Sequence, residues 1–235
     1  MNIGAILFLI TARKGSEGLS NKNFKEFLGK PLIYHSYNFA EKTARVGDEI
    51  CISTNDEVII NFFEEKGIEI PFKRPEYLST NFSSSDSVID HALTFYESQG
   101  KKFEYVMLLQ PTSPFREKKD FDEIIAKMDK KTDMVVSVRD CKDNPYFNMF
   151  VENSKEHLAS LVDSPRYNRR QDAPKVYTFN GAYYFFKVSS FRRDNNINFR
   201  KVKKFLMPEW QSVDIDTKDD WDLAIYYSSK HLKNG

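Results

Sequence analysis

The sequence predicts an α/β fold built on a doubly wound, mostly parallel sheet, and three observations predict it. Short, largely apolar runs recur at residues 6–10, 105–109 and 134–138, the pattern of strands buried on both faces. Between such runs, apolar residues fall at helical spacing, so strands and helices alternate as in parallel sheets with helical crossovers. Each run also ends in a polar loop carrying Gly or Pro, where open sheets of this kind hold ligands.

At 235 residues the chain is long enough for one substantial core, and it reads as a single domain over 1–235. The formal net charge is +1, which gives no general attraction to nucleic acid or to an acidic membrane. Hydrophobic residues make up 40% and charged residues 29%, the balance of a soluble globular protein. The two cysteines, Cys51 and Cys141, form no CxxC motif and have no histidines near them, so neither a disulfide framework nor a zinc site is expected. The first apolar run lacks both a preceding basic region and a cleavage pattern, and no other run approaches spanning length. A cytoplasmic protein is expected.

The first strand, residues 6–10, runs into T-A-R-K-G-S-E-G (11–18), followed by Lys22 and Asn23. Glycines let backbone N–H groups approach an anion, and Arg13, Lys14 and Lys22 supply charge, although Gly15 and Gly18 also serve as plain turn glycines. Neither GxxxxGK[ST] nor GxGxxG is present. After Pro31, Leu32, Ile33, Tyr37, Ala40 and Ala44 mark a helix. Residues 49–53 form a strand, and Thr54, Asn55 and Asp56 cap a helix with Val58, Ile59, Phe62 and Phe63 inward and Gly67 at its stop. A strand is expected at 68–72.

Arg74 and Pro75 open a serine-rich connector, either a surface loop or a binding loop. Helix 86–98 and strand 105–109 follow. That strand ends in Q-P-T-S-P-F-R (110–116), a stiff turn at a ligand-bearing end, or simply a rigid connector. Helix 119–129 and strand 134–138 continue the alternation, which then breaks. Residues 140–175 read as an insertion at the sheet edge, too short for a core of its own. The aromatic strand 177–188 is interrupted by Gly181, which suggests close approach by a ligand or another backbone. Strand 203–207 and a helix from Thr217 to Leu232 close the chain. In Asp214-Ile215-Asp216, carboxylates at i and i+2 of an extended segment face one side, where they suit a hard cation such as Mg²⁺ beside phosphates; a surface pair or a helix cap is the simpler alternative.

Together, ARKGSEGLSNKN, GKPLI, STND, RPEYLS, LLQPTSPFR, RRQDAPKVYTFNGAYYF and DIDTKDDWDLA resemble the bacterial acylneuraminate cytidylyltransferases, or CMP-sialic acid synthetases, in the same order over nearly the whole chain. The likeness extends to relatives acting on legionaminic and pseudaminic acids. The resemblance implies a Rossmann-like nucleotidyltransferase fold in which 140–175 is a small dimerisation insertion, and hence a homodimer. It implies that CTP and a nine-carbon 2-keto sugar acid, a nonulosonic acid, give the CMP-sugar and pyrophosphate with Mg²⁺ or Mn²⁺. By motif, Arg13, Lys14, Ser16, Lys22, Asn23, Arg74, Ser83 and Ser85 match CTP-binding positions. Gln110, Arg170, Gln171, Asn180 and Tyr184 match sugar-binding ones. Asp214 and Asp216 match the metal pair and, with Arg13 and Lys22, the catalytic set.

One position departs from the family pattern. Its loop reads S-K-G, whereas this chain has Ser16-Glu17-Gly18, and Ser20 stands where the family has proline. A carboxylate facing the triphosphate would repel it. Lys14 as a substitute, Glu17 turned to solvent, and Glu17 on a second Mg²⁺ all remain open. So do two other functions, a catalytically impaired nucleotide-binding relative and a glycosyltransferase using D-x-D.

Overall fold

The computed structural model describes residues 3–15, 18–162 and 167–232. Ser16 and Glu17, on which the phosphate-loop expectation partly rests, lie outside the described residues. In chain order the elements are β1 (Ile6–Ala12), a hairpin of β2 (Glu26–Phe27) and β3 (Lys30–Pro31), α1 (Leu32–Thr43), β4 (Glu49–Thr54) and α2 (Glu57–Glu64). Next come α3 (Ser85–Ser98), β5 (Tyr105–Leu109), α4 (Lys118–Lys127), β6 (Met134–Asp140), a hairpin of β7 (Phe150–Glu152) and β8 (Leu158–Ser160), β9 (Tyr177–Lys187), α5 (Val188–Asp194), β10 (Val202–Leu206) and α6 (Lys218–His231).

Six strands form one sheet in the order β10-β6-β9-β5-β1-β4. β1 runs parallel to β4 and β5, and β10 parallel to β6, whereas β9 lies antiparallel to both of its neighbours. The sheet is therefore mixed, consistent with the mostly parallel expectation. Side chains alternate across it. Ile6, Phe8 and Ile10 pack with α1, α2 and α4 on one face, while Leu7 and Leu9 pack with α3 and α5 on the other. That two-sided burial is what made β1 apolar at every position.

Three expectations need correction. Residues 68–72 form no strand; only an isolated bridge, Thr54 to Lys73, follows β4. Pro71 has no N–H to donate and Glu69 is exposed, so Ile68 and Ile70 pack on the core while the backbone makes no ladder. Val58, expected inward on α2, is 53% exposed, and Leu223 on α6 is 42% exposed. In both helices the buried stripe is narrower than the apolar pattern suggested. α5 was not anticipated, because its first residue continues the aromatic run of β9. No helix among the described residues is long and apolar enough to cross a membrane.

Candidate active site

A cleft of about 650 Å³ opens at the C-terminal ends of β1 and β5. Local sequence explains each wall. Ser84 caps α3 by accepting from the Ser87 N–H at 3.1 Å, so the serine-rich connector delivers Ser83, Ser84 and Ser85 to the cleft at a helix N-terminus. Opposite them, Val213 and Ile215 are buried against Phe27, Phe115 and Trp221. Period-2 alternation then turns Asp214 and Asp216 together into the cleft. Thr217 and Asp220 form the capping box that starts α6 immediately afterwards.

Cations line the other side. Lys22 is ion-paired with Asp216, and Arg13 donates to Asn81, joining the first loop to the serine-rich one. Gly18 packs so closely on the Asp216 carbonyl that a Cβ there would lie 2.6 Å from that oxygen. Arg74 is 4% exposed, and its Nε and Nη2 have no hydrogen-bond partner. Burial, aided by the nearby Arg13, pulls its pKa down to about 10. Such unpaired buried donors suit an uncharged or anionic acceptor brought by a ligand.

Asp214 is half-buried and accepts from the Thr112 hydroxyl, yet its Oδ1 has no partner. Desolvation raises its pKa, and Asp216 adds to the shift. A second carboxylate on the same wall and a bare oxygen form a hard-donor pair. No group of three or more His, Cys, Asp or Glu able to hold a metal occurs among the described residues. Any ion on this pair therefore needs further oxygens from substrate or water, as Mg²⁺ beside phosphates does.

Behind Asp214, Gly181 solves a packing problem. β9 carries a bulge opposite Val136 to Val138, and Gly181 sits there at φ +76°. A Cβ would stand 2.4 Å from Gln110 Oε1, so the glycine makes room for that side chain. Ser137 fills the bulge, accepting from the Tyr183 N–H at 2.8 Å and donating to Asn180 Oδ1 at 2.5 Å. Arg116 fastens the junction. It donates to the carbonyls of Ala182 (2.8 Å) and Gln110 (2.7 Å) and to Ser36 Oγ (2.8 Å). Arg116→Met, which strands these acceptors, is expected to cost about 2–4 kcal/mol of stability, read as a lower urea midpoint.

Of the residues singled out in the sequence, Arg13, Lys22, Asn23, Arg74, Ser83, Ser85, Gln110, Asp214 and Asp216 all line this cleft. Lys14 does not; its N–H donates to Asn55 Oδ1 at 2.9 Å and its ammonium acts on Glu57. Asn180 is buried, with its amide spent on Ser137, Ser212 and Met207. Tyr184 is half-buried, its hydroxyl pKa raised by burial and by Asp214. Arg170 lies in a separate hollow, donating to the Cys141 carbonyl at 3.2 Å, and its neighbour Gln171 is exposed. Sequence reasoning missed Asn81, Thr112 and Arg116; the last two stand in the Q-P-T-S-P-F-R turn, whose hydroxyls and arginine were the available signal.

The cytidylyltransferase family model matches residues 7–227. The chain belongs to this family. It is thus a nucleotidyltransferase. Among its relatives in the cytidylyltransferase family, pseudaminic acid cytidylyltransferase of Campylobacter jejuni is 29% identical over 96% of this chain and 97% of its own length. N-acylneuraminate cytidylyltransferase of Streptococcus agalactiae is 31% identical over 91% of this chain, which spans 51% of that longer protein. The fold also matches CMP:2-keto-3-deoxy-manno-octonic acid synthetase solved with CTP, at TM-score 0.65 and 16% identity, covering 98% of this chain and 100% of that one.

Proposed function

We propose that this chain transfers the cytidylyl group of CTP to the anomeric hydroxyl of a nine-carbon 2-keto sugar acid, releasing pyrophosphate. The observation that carries this reading is the cleft itself, which Arg13, Lys22 and Arg74 line together with Asp214 and Asp216, in a member of the cytidylyltransferase family. Arg74 holds acceptors on the nucleoside half. Arg13 and Lys22 take the triphosphate, with the serines at the start of α3 completing the anion's hydrogen bonds. Asp214 and Asp216 would hold Mg²⁺ or Mn²⁺, which when bound offsets the negative charge of the phosphates and of the leaving pyrophosphate. Lys22 keeps Asp216 paired until nucleotide arrives, then turns to the phosphates. The sugar hydroxyl oxygen bonds to the α-phosphorus as the bond to the bridging oxygen breaks. Pyrophosphate leaves with that electron pair, and the hydroxyl proton passes to water.

The β7–β8 hairpin exposes Phe150 (39%), Val151 (45%) and Leu158 (71%). We assign it to a homodimer contact, and assign the protein to the cytoplasm because CTP is available there. A single-chain mass by light scattering would remove the dimer. Pyrophosphate release from CTP and Mg²⁺ with sialic, legionaminic and pseudaminic acids is the test. One acid is expected to support turnover, lost in Asp216→Ala and on chelation; no release with any of the three overturns the reading. Should only Glu17→Lys turn over, the natural chain binds nucleotide without using it.

A further inference from the structure

The cleft does not end at Asp214. On the other side of that carboxylate is a hollow of about 190 Å³ with Phe179, Val213, Leu223 and Tyr227 in its walls and a single cation, Arg139. Arg139 and Glu209 also border the next hollow, of about 570 Å³, which holds Arg170 but does not reach Asp214. The three spaces follow one another along the C-terminal ends of the parallel strands. Arg139 belongs to the end of β6, in register with Thr178 of β9.

Three carboxylates border this hollow, and two of them, Glu209 and Asp220, are engaged elsewhere. Glu209 is ion-paired with Lys142 at 3.0 Å. Asp220 accepts from the Thr217 N–H and hydroxyl, each at 2.8 Å, and from the Asp216 N–H at 3.1 Å. Asp214 faces the nucleotide cleft as well. Arg139 is exposed and makes no side-chain hydrogen bond or ion pair among the described residues. Phe179 and Leu223, 54% and 42% exposed, supply apolar wall in the same hollow beside Asn180, Ser212 and the carboxylates.

We propose that Arg139 grips the carboxylate of the acceptor sugar acid, in the hollow it shares with Asp214. This rests on the reading that the acceptor is a 2-keto sugar acid. In such a molecule the carboxylate and the attacking hydroxyl sit on the same carbon. The group that binds the carboxylate must therefore border the same space as the residue beside the reacting phosphate. Arg139 meets that condition. Arg170 does not, since its hollow excludes Asp214 and its Nη2 is given to the Cys141 carbonyl. A planar guanidinium binds a carboxylate in bidentate fashion, and Phe179 and Leu223 in the same hollow can cover apolar substituents of the sugar.

The test is titration calorimetry of sialic, legionaminic and pseudaminic acids, and of their methyl esters, into protein holding Mg²⁺ and a non-hydrolysable α,β-methylene CTP analogue. Wild type, Arg139→Gln, Arg139→Lys and Arg170→Gln are compared. Wild type is expected to bind one acid well and its ester poorly. Arg139→Gln should weaken the acid about 10- to 100-fold, leave the ester unchanged and keep full nucleotide affinity, with Arg139→Lys recovering part of the loss. Acid affinity unchanged in Arg139→Gln, or the acid-selective loss appearing in Arg170→Gln instead, overturns the assignment and leaves the proposed function standing. A wild type that binds acid and ester equally overturns the assignment alone; one that binds no acid overturns both.

Discussion

Asp214→Asn is expected to lower pyrophosphate release by about 10²- to 10³-fold while leaving the protein as stable as wild type, or more so, at pH 7. The first effect follows from losing the buried, unpartnered oxygen of the acidic pair as an anion. The second follows from its raised pKa, caused first by burial. A carboxyl whose folded pKa is raised costs nothing while it is protonated in both states, and the cost appears as pH rises through the folded value. The melting temperature of Asp214→Asn should thus exceed wild type at pH 7 and converge with it below about pH 4. Metal affinity of the wild type should fall on the acid side at a higher pH than for an ordinary carboxylate. A variant clearly less stable than wild type at pH 7 would mean that Asp214 holds the fold together and is not tuned for a ligand.

Gly181→Ala is expected to reduce kcat/KM by about 100-fold and to cost about 1–2 kcal/mol in stability from the left-handed backbone alone. The added methyl would meet Gln110 Oε1 at 2.4 Å and its Cδ at 3.3 Å. Gln110 then has to shift its amide in the cleft wall, while the methyl comes into contact with Asp214 Oδ2 at 3.5 Å. Strain and clash are separable with Gly67→Ala as reference. Gly67 has φ +74° with nothing within 4 Å of its ideal Cβ, so that variant should show the stability loss without the kinetic one. Equal kinetics in the two variants would mean that Gly181 serves only the bulge.

Some of this was legible in the chain and some was not. The buried faces of β1 and the cap of α6 could be read directly, since burial and capping are local relations between neighbouring residues. The shared direction of Asp214 and Asp216 followed from spacing alone, with buried Ile215 between them. The orientation of β9 could not be read, because hydrophobic periodicity is the same in either direction along a strand. Residues 68–72 had the composition of a strand but contained Pro71, and pairing depends on donors as well as on apolar content. Asn180 looked like a ligand-binding amide in its motif. Only the fold shows its donors and acceptor spent on Ser212, Met207 and Ser137.

The sequence by itself therefore determined the fold class, which rests on short-range pattern, and the family, which rests on motifs kept in order along the whole chain. The tertiary structure alone decided where each arginine lies and which acceptors it meets. Arg74 is buried with open donors, Arg116 is tied to a carbonyl 66 positions away, Arg170 is turned to another hollow, and Arg139 borders the hollow that Asp214 also lines. A guanidinium's role is set by the acceptors that the fold brings within a few ångströms, and those come from strands remote in the chain.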